Sequence, residues 1–138
     1  MACAQTGSGK TAAFAIPICN ILLQTGYENL PSSQIRPQVL VVAPTRELVM
    51  QIDNEFKKIL NGTGLHSEFV IGGHATKSQR ARIESKGCNI LCATPGRLRD
   101  WVNKGIICLE DIQFVILDEA DRINFFSKIY HSTLFIKI

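Results

Sequence analysis

Short apolar runs without polar alternation constrain this chain more than any other feature. Val39 to Ala43 and Phe114 to Leu117 offer apolar side chains to both faces of a strand, which requires helices on both faces. Glu68 to Ile71 and Asn89 to Ala93 are further stretches of this type, and segments of helical period lie between them. That rhythm predicts an α/β fold on a parallel sheet. Leu48, Ile52, Phe56 and Ile59 or Leu60 recur at spacings of three to four after Arg46. The segment should therefore be a helix packed on the sheet by one face and ending near Asn61 and Gly62. Tyr27 to Pro37, with two Pro and two Ser, reads as a loop.

With 138 residues, 46% of them hydrophobic and 20% charged, the composition suits one compact domain and excludes both a second full-sized domain and a disordered chain. The net charge is +3, and two of those charges, Lys128 and Lys137, fall in the last sixteen residues. A nucleic-acid site must then be a local patch. Cys3, Cys19, Cys88, Cys92 and Cys108 form an odd set with no CxxC pair and no signal peptide ahead of them, so they read as cytosolic thiols buried like small apolar residues. Cys88 and Cys92 lack a second Cys or His pair at zinc spacing, and His66, His74 and His131 are scattered. No apolar run reaches the roughly 18 residues of a membrane span.

Both ends depart from this pattern. Met1 to Cys3 are too few for a central strand ahead of a glycine-rich loop, so the first strand is expected to be cut. Residues 123–138 carry nine apolar residues, four of the ten aromatics and no acid, a break in composition after Arg122.

Ala4, Gln5, Thr6, Gly7, Ser8, Gly9, Lys10 and Thr11 match a phosphate-binding loop, except that Ala4 stands where the general pattern has Gly. Gly7 and Gly9 let successive N–H groups turn toward phosphate oxygens, and a helix opening at Lys10 adds its positive end. Lys10 can reach the β and γ phosphates and the Thr11 hydroxyl can ligate Mg²⁺. A Gly/Ser turn that merely caps a helix is the plainer alternative. Phe114 to Leu117 then runs into Asp118, Glu119, Ala120 and Asp121, 108 residues beyond Lys10. The carboxyl end of a buried strand is the ligand edge of an open α/β sheet. Asp118 there can hold Mg²⁺ and Glu119 can polarise an attacking water. Alone, the acids could equally decorate a helix start. Pro44, Thr45, Arg46 and Glu47, then Gly72 and Gly73, then Thr94, Pro95, Gly96 and Arg97 lie between the two motifs. The Pro44 and Thr94 sets each follow a predicted strand and start a helix, suited to gripping a sugar-phosphate backbone through N–H groups and an arginine. Pro44 and Pro95 could also simply end strands and begin helices.

In combination these residues resemble the first of the two RecA-like domains of the DEAD-box RNA helicases, over Ala4 to Arg122 and with the motifs in order. Ala4 is that family's own form of the loop. Met1 to Phe14 and Gly87 to Leu98 are most similar to the Vasa-like subgroup. The resemblance implies a RecA-like P-loop domain, a parallel sheet flanked by helices and incomplete at both ends. It implies that Ala4 to Thr11 bind ATP with Mg²⁺, that Lys10, Asp118 and Glu119 are catalytic with Thr11 and Asp118 at the metal, and that Asp121 links to other motifs. Pro44 to Glu47, Gly72, Gly73 and Thr94 to Arg97 would contact the RNA backbone without reading sequence.

The same resemblance divides the chain into residues 1–122, a partial N-terminal helicase domain, and 123–138, a divergent tail foreign to the family, as in a truncated or misassembled gene product. The family's adenine-reading motif would precede Met1, and its second domain with an arginine finger would follow residue 138. The full enzyme is expected to couple RNA-stimulated ATP hydrolysis to duplex unwinding, and the 138 residues alone to be inactive. Another P-loop ATPase and a non-catalytic nucleic-acid-binding fragment remain the alternatives. The expected location is cytoplasmic, with the nucleus or ribonucleoprotein granules also open; protein partners are not legible.

Overall fold

The computed structural model describes residues 8–26, 33–73, 75–117 and 134–137. In chain order the elements are α1 (Ser8–Gln24), β1 (Val39–Val42), α2 (Arg46–Leu60), β2 (Ser67–Val70), α3 (Thr76–Lys86), β3 (Ile90–Ala93), α4 (Pro95–Asn103), β4 (Phe114–Leu117) and β5 (Leu134–Lys137). The strands form one sheet in the order β2-β3-β1-β4-β5, and every neighbouring pair is parallel. All four expected strands are present within a residue of their expected ends. The fifth, β5, falls inside the span set apart by composition and pairs Leu134 with Phe114 through Lys137 with Leu117.

Successive strand residues face opposite sides, and the apolar runs fill both. Val39, Val41, Ile90, Cys92 and Ile116 join Phe14, Ile18 and Leu22 of α1 and Val49, Ile52 and Phe56 of α2 in one core. Leu40, Val42, Leu91 and Val115 join Ile83 of α3 and Leu98 and Trp101 of α4 in the other. This division follows from the topology. The step from β1 to β2 runs one way along the sheet through α2, and the steps back through α3 and α4 run the other way. Right-handed crossovers in opposite directions must use opposite faces.

Helix α2 begins where Thr45, in extended conformation, accepts a hydrogen bond from the Leu48 N–H at 3.2 Å, and it carries Glu47 in the first turn and Lys57 and Lys58 in the last. Cap and charges both favour this direction of the helix dipole. Its buried face is Val49, Ile52, Asp53, Phe56 and Leu60, with Leu48 and Ile59 partly buried against the same core. Asp53 is the polar member of that face. Its carboxylate accepts from Ser67 Oγ and from Lys57 Nζ, each at 2.6 Å, which offsets its burial.

Candidate functional site at the carboxyl edge of the sheet

The strand registers bring three of the expected motif-bearing turns to one edge. Val42 is level with Ala93 on one side and Leu117 on the other, and Ala93 is level with Val70. The residues that follow, Pro44 to Glu47, Thr94 to Arg97 and Gly72 with Gly73, therefore all leave the sheet at the same end. Asp118 follows Leu117 directly in the chain. Asp118, Glu119 and Asp121, like Ala4 to Gly7, lie outside the described residues. Ser8 to Thr11 form the first turn of α1, and Thr11 is 5% exposed.

Backbone bonds stitch these turns together. Ala43 N–H donates to the Ala93 carbonyl and Thr94 N–H to the Val70 carbonyl, each at 3.2 Å. Beyond them the side chains open outward, with Pro44, Thr45, Arg46, Glu47, Gly73, Pro95 and Gly96 all exposed. Arg46 reaches across the end of β3, where its Nη1 donates to the Gly72 carbonyl at 3.4 Å. Gly73 has φ of +85°, and a Cβ there would lie 2.5 Å from that Nη1. The positive φ thus favours glycine at 73, while the close contact is with the end of a flexible, exposed side chain that can shift. Glycine is not required at Gly72 or Gly96, where no positive φ occurs and an added Cβ would meet nothing within 4 Å.

Thr94 precedes α4 without capping it by its side chain, and Pro95 occupies the first turn. Arg97 donates to Thr76 Oγ1 at 3.3 Å and stands 5.8 Å from the Trp101 ring, so the β3–α4 turn is tied to the start of α3. One residue of this edge escaped the sequence analysis. Gln79, 1% exposed, accepts from the Ile71 N–H at 3.1 Å and donates to the Ile71 carbonyl at 3.2 Å. Its place four residues before Ile83, the other buried residue of α3, was the available signal.

Of the described cysteines, Cys19, Cys88 and Cys92 are buried, but Cys108 is only half-buried. Burial pushes the Cys19 thiol up to about 11. It also raises Cys88 and Cys92, helped at Cys88 by the Glu68 and Asp53 carboxylates and at Cys92 by Asp53. Among the described residues no group of His, Cys, Asp and Glu could hold a metal, and no helix is long and apolar enough to cross a membrane.

Residues 1–134 match the DEAD/DEAH box helicase family. The chain belongs to that family. It is 50% identical over 122 residues to the ATP-dependent RNA helicase vasa of Drosophila melanogaster, covering 88% of this chain and 18% of that protein. It is 47% identical over 123 residues to the probable ATP-dependent RNA helicase DDX4 of Homo sapiens, again 88% of this chain and 17% of that protein. The chain thus spans less than a fifth of these curated relatives. Among solved structures, the yeast DEAD-box splicing factor Prp28 superposes with a TM-score of 0.79 at 30% identity, covering 96% of this chain and 34% of that one. The RNA helicase Prp28 from Chaetomium thermophilum, bound to ADP, gives 0.76 at 34% identity, over 97% and 33%. A RecA-like domain of this helicase family accounts for the parallel sheet and for the motif-bearing turns at its carboxyl edge.

Proposed function

We propose that this chain forms the ATP-phosphate site and one side of the RNA path of an ATP-dependent RNA helicase. The observation that carries the reading is the convergence of three motif-bearing turns on the edge where β4 ends at Leu117, the residue that precedes Asp118 in sequence. Gly72 and Gly96 add to it. Folding does not demand glycine at either position, whereas close approach of a ligand backbone does.

In this reading the N–H groups of the Ala4 to Thr11 loop and the first turn of α1 receive the nucleotide phosphates, with Lys10 neutralising charge on the β and γ groups. The oxygen donors Thr11 and Asp118 fit a hard cation such as Mg²⁺, which when bound would neutralise phosphate charge. Glu119 orients the attacking water, and Asp121 connects this site to the remaining motifs. Arg46, which reaches across β3 to Gly72, and Arg97, which follows β3, grip the RNA phosphates on the side of β1 away from β4, assisted by N–H groups of Gly72, Gly73 and Gly96. Such contacts position a strand without reading its bases.

Titration calorimetry with ATP and Mg²⁺ tests the phosphate half of the proposal. The unaltered chain should bind and Lys10→Ala should lose that binding. Equal affinity in the two proteins would contradict the phosphate-loop assignment.

A further inference from the structure

We propose that Gln79 is a positioning residue for the RNA path. It acts as a stand-in peptide unit that fixes the Gly72–Gly73 turn beneath Arg46, and the proposal rests on the RNA-path reading above.

The geometry begins with β2, the outermost strand on its side of the sheet among the described residues. The Val70 carbonyl points toward β3, since it accepts from Thr94 N–H. Along a strand the N–H and C=O pairs alternate in direction, so those of Ile71 and Phe69 point outward, where no strand receives them. Helix α3 supplies the partners. Arg82 Nη2 donates to the Phe69 carbonyl at 2.9 Å, and Gln79 pairs with both groups of Ile71. A primary amide carries the same donor and acceptor as a peptide group, so Gln79 extends the ladder by one rung exactly where the chain leaves the sheet for Gly72. Only one orientation of the amide serves both bonds, because the flipped amide would oppose N–H to N–H and oxygen to oxygen.

Two features separate this role from simple cover for a strand edge. Ile71 directly precedes the glycine pair, so its fixed peptide sets where the Gly72 carbonyl lies, and that carbonyl is the acceptor for Arg46. Gln79 is also held at its own backbone, donating to the Ala75 carbonyl at 3.2 Å in the first turn of α3. Arg82 performs the covering task two residues further from the turn and has no such link to Arg46.

The test is a double-mutant cycle read by fluorescence anisotropy of a labelled single-stranded oligouridylate on the 138-residue chain. Gln79→Met keeps the volume and removes both hydrogen bonds; it should weaken binding about tenfold alone and less than about threefold in an Arg46→Ala background. Arg82→Met should change affinity by no more than about twofold. If Gln79→Met shows no cooperative urea transition, Gln79→Glu carries the test. It retains the acceptor for Ile71 N–H but opposes a carboxylate oxygen to the Ile71 carbonyl, and it should also weaken binding in a manner coupled to Arg46. Unchanged affinity in the Gln79 variants, or a loss equal in both backgrounds, would overturn the positioning role while Arg46→Ala still weakens binding. No RNA binding by the unaltered chain, or no effect of Arg46→Ala, would instead overturn the RNA-path reading on which the proposal rests.

Discussion

At the edge where the strands begin, Gln38 and Asn89 are 1% and 0% exposed and spend their amides on one another and on the backbone. At the edge where the strands end, Arg46, Glu47, Pro95 and Gly96 face outward. Asn89 Nδ2 donates to Gln38 Oε1 at 2.9 Å, Asn89 Oδ1 accepts from His66 N–H at 2.8 Å, and Gln38 Nε2 donates to the Arg36 carbonyl at 2.8 Å. The Gln38 carbonyl accepts from Gln113 N–H at 2.7 Å. One buried network thus joins the entries of β1, β2, β3 and β4. A fully satisfied network of this kind fixes register in a low-dielectric interior. The exit edge includes longer contacts, 3.4 Å at Arg46 and 3.3 Å at Arg97, with the Gln79 clamp as its buried exception. The contrast teaches that the fold is held at one end of the sheet, and that its other end can keep donors available to a ligand.

Removing a member of the entry network should have the largest effect. Asn89→Ala leaves the Gln38 acceptor and His66 N–H without this partner and should cost about 3 kcal/mol in urea unfolding. Arg46→Ala at the exit edge should stay within about 0.5 kcal/mol. Similar losses for the two would break the comparison.

Glycine substitutions sharpen it. Gly73→Ala should cost about 1 kcal/mol, from the positive φ at this position. Gly96→Ala, with open space around its Cβ, should leave stability within about 0.5 kcal/mol while weakening RNA binding. If Gly96→Ala bound RNA as well as the unaltered chain, the argument from dispensable glycines would be lost.

A smaller effect comes from the buried thiols. Burial favours the neutral form, so the folded-state pKa of Cys19 lies near 11, above its ordinary value of 9.0. The stability it contributes is intact below about 9 and erodes as pH rises toward 11. Cys88 and Cys92 add in the same direction. The urea midpoint should therefore decline over that window, and less steeply in Cys19→Ala; identical slopes would show that Cys19 does not contribute.

The strands and α2 were legible because their information is local. An unbroken apolar run states that both strand faces are covered, and Ile52, Phe56 and Leu60 mark one helical face. The motifs were legible for the same reason, being contiguous in sequence. Helix α3 was not, since Ala81 and Ile83 are its only apolar residues. Its seat depends on Gln79 reaching back eight residues to Ile71, and on Arg82 pairing with Glu68 at 2.8 Å and covering the Phe69 ring at 4.6 Å. Those contacts exist only once the crossover has formed. Strand β2 ends at Val70 because that residue is level with Ala93, the last residue of β3, beyond which β3 offers no strand partner.

The most direct test of the exit edge as an RNA grip is the salt dependence of single-stranded RNA binding by the unaltered chain and by Arg46→Ala. For unrelated sequences alike, the variant should bind more weakly, and its slope of log affinity against log salt should be shallower by about 1, the signature of one lost phosphate contact. An unchanged slope and affinity, or a loss confined to one RNA sequence, would contradict the account.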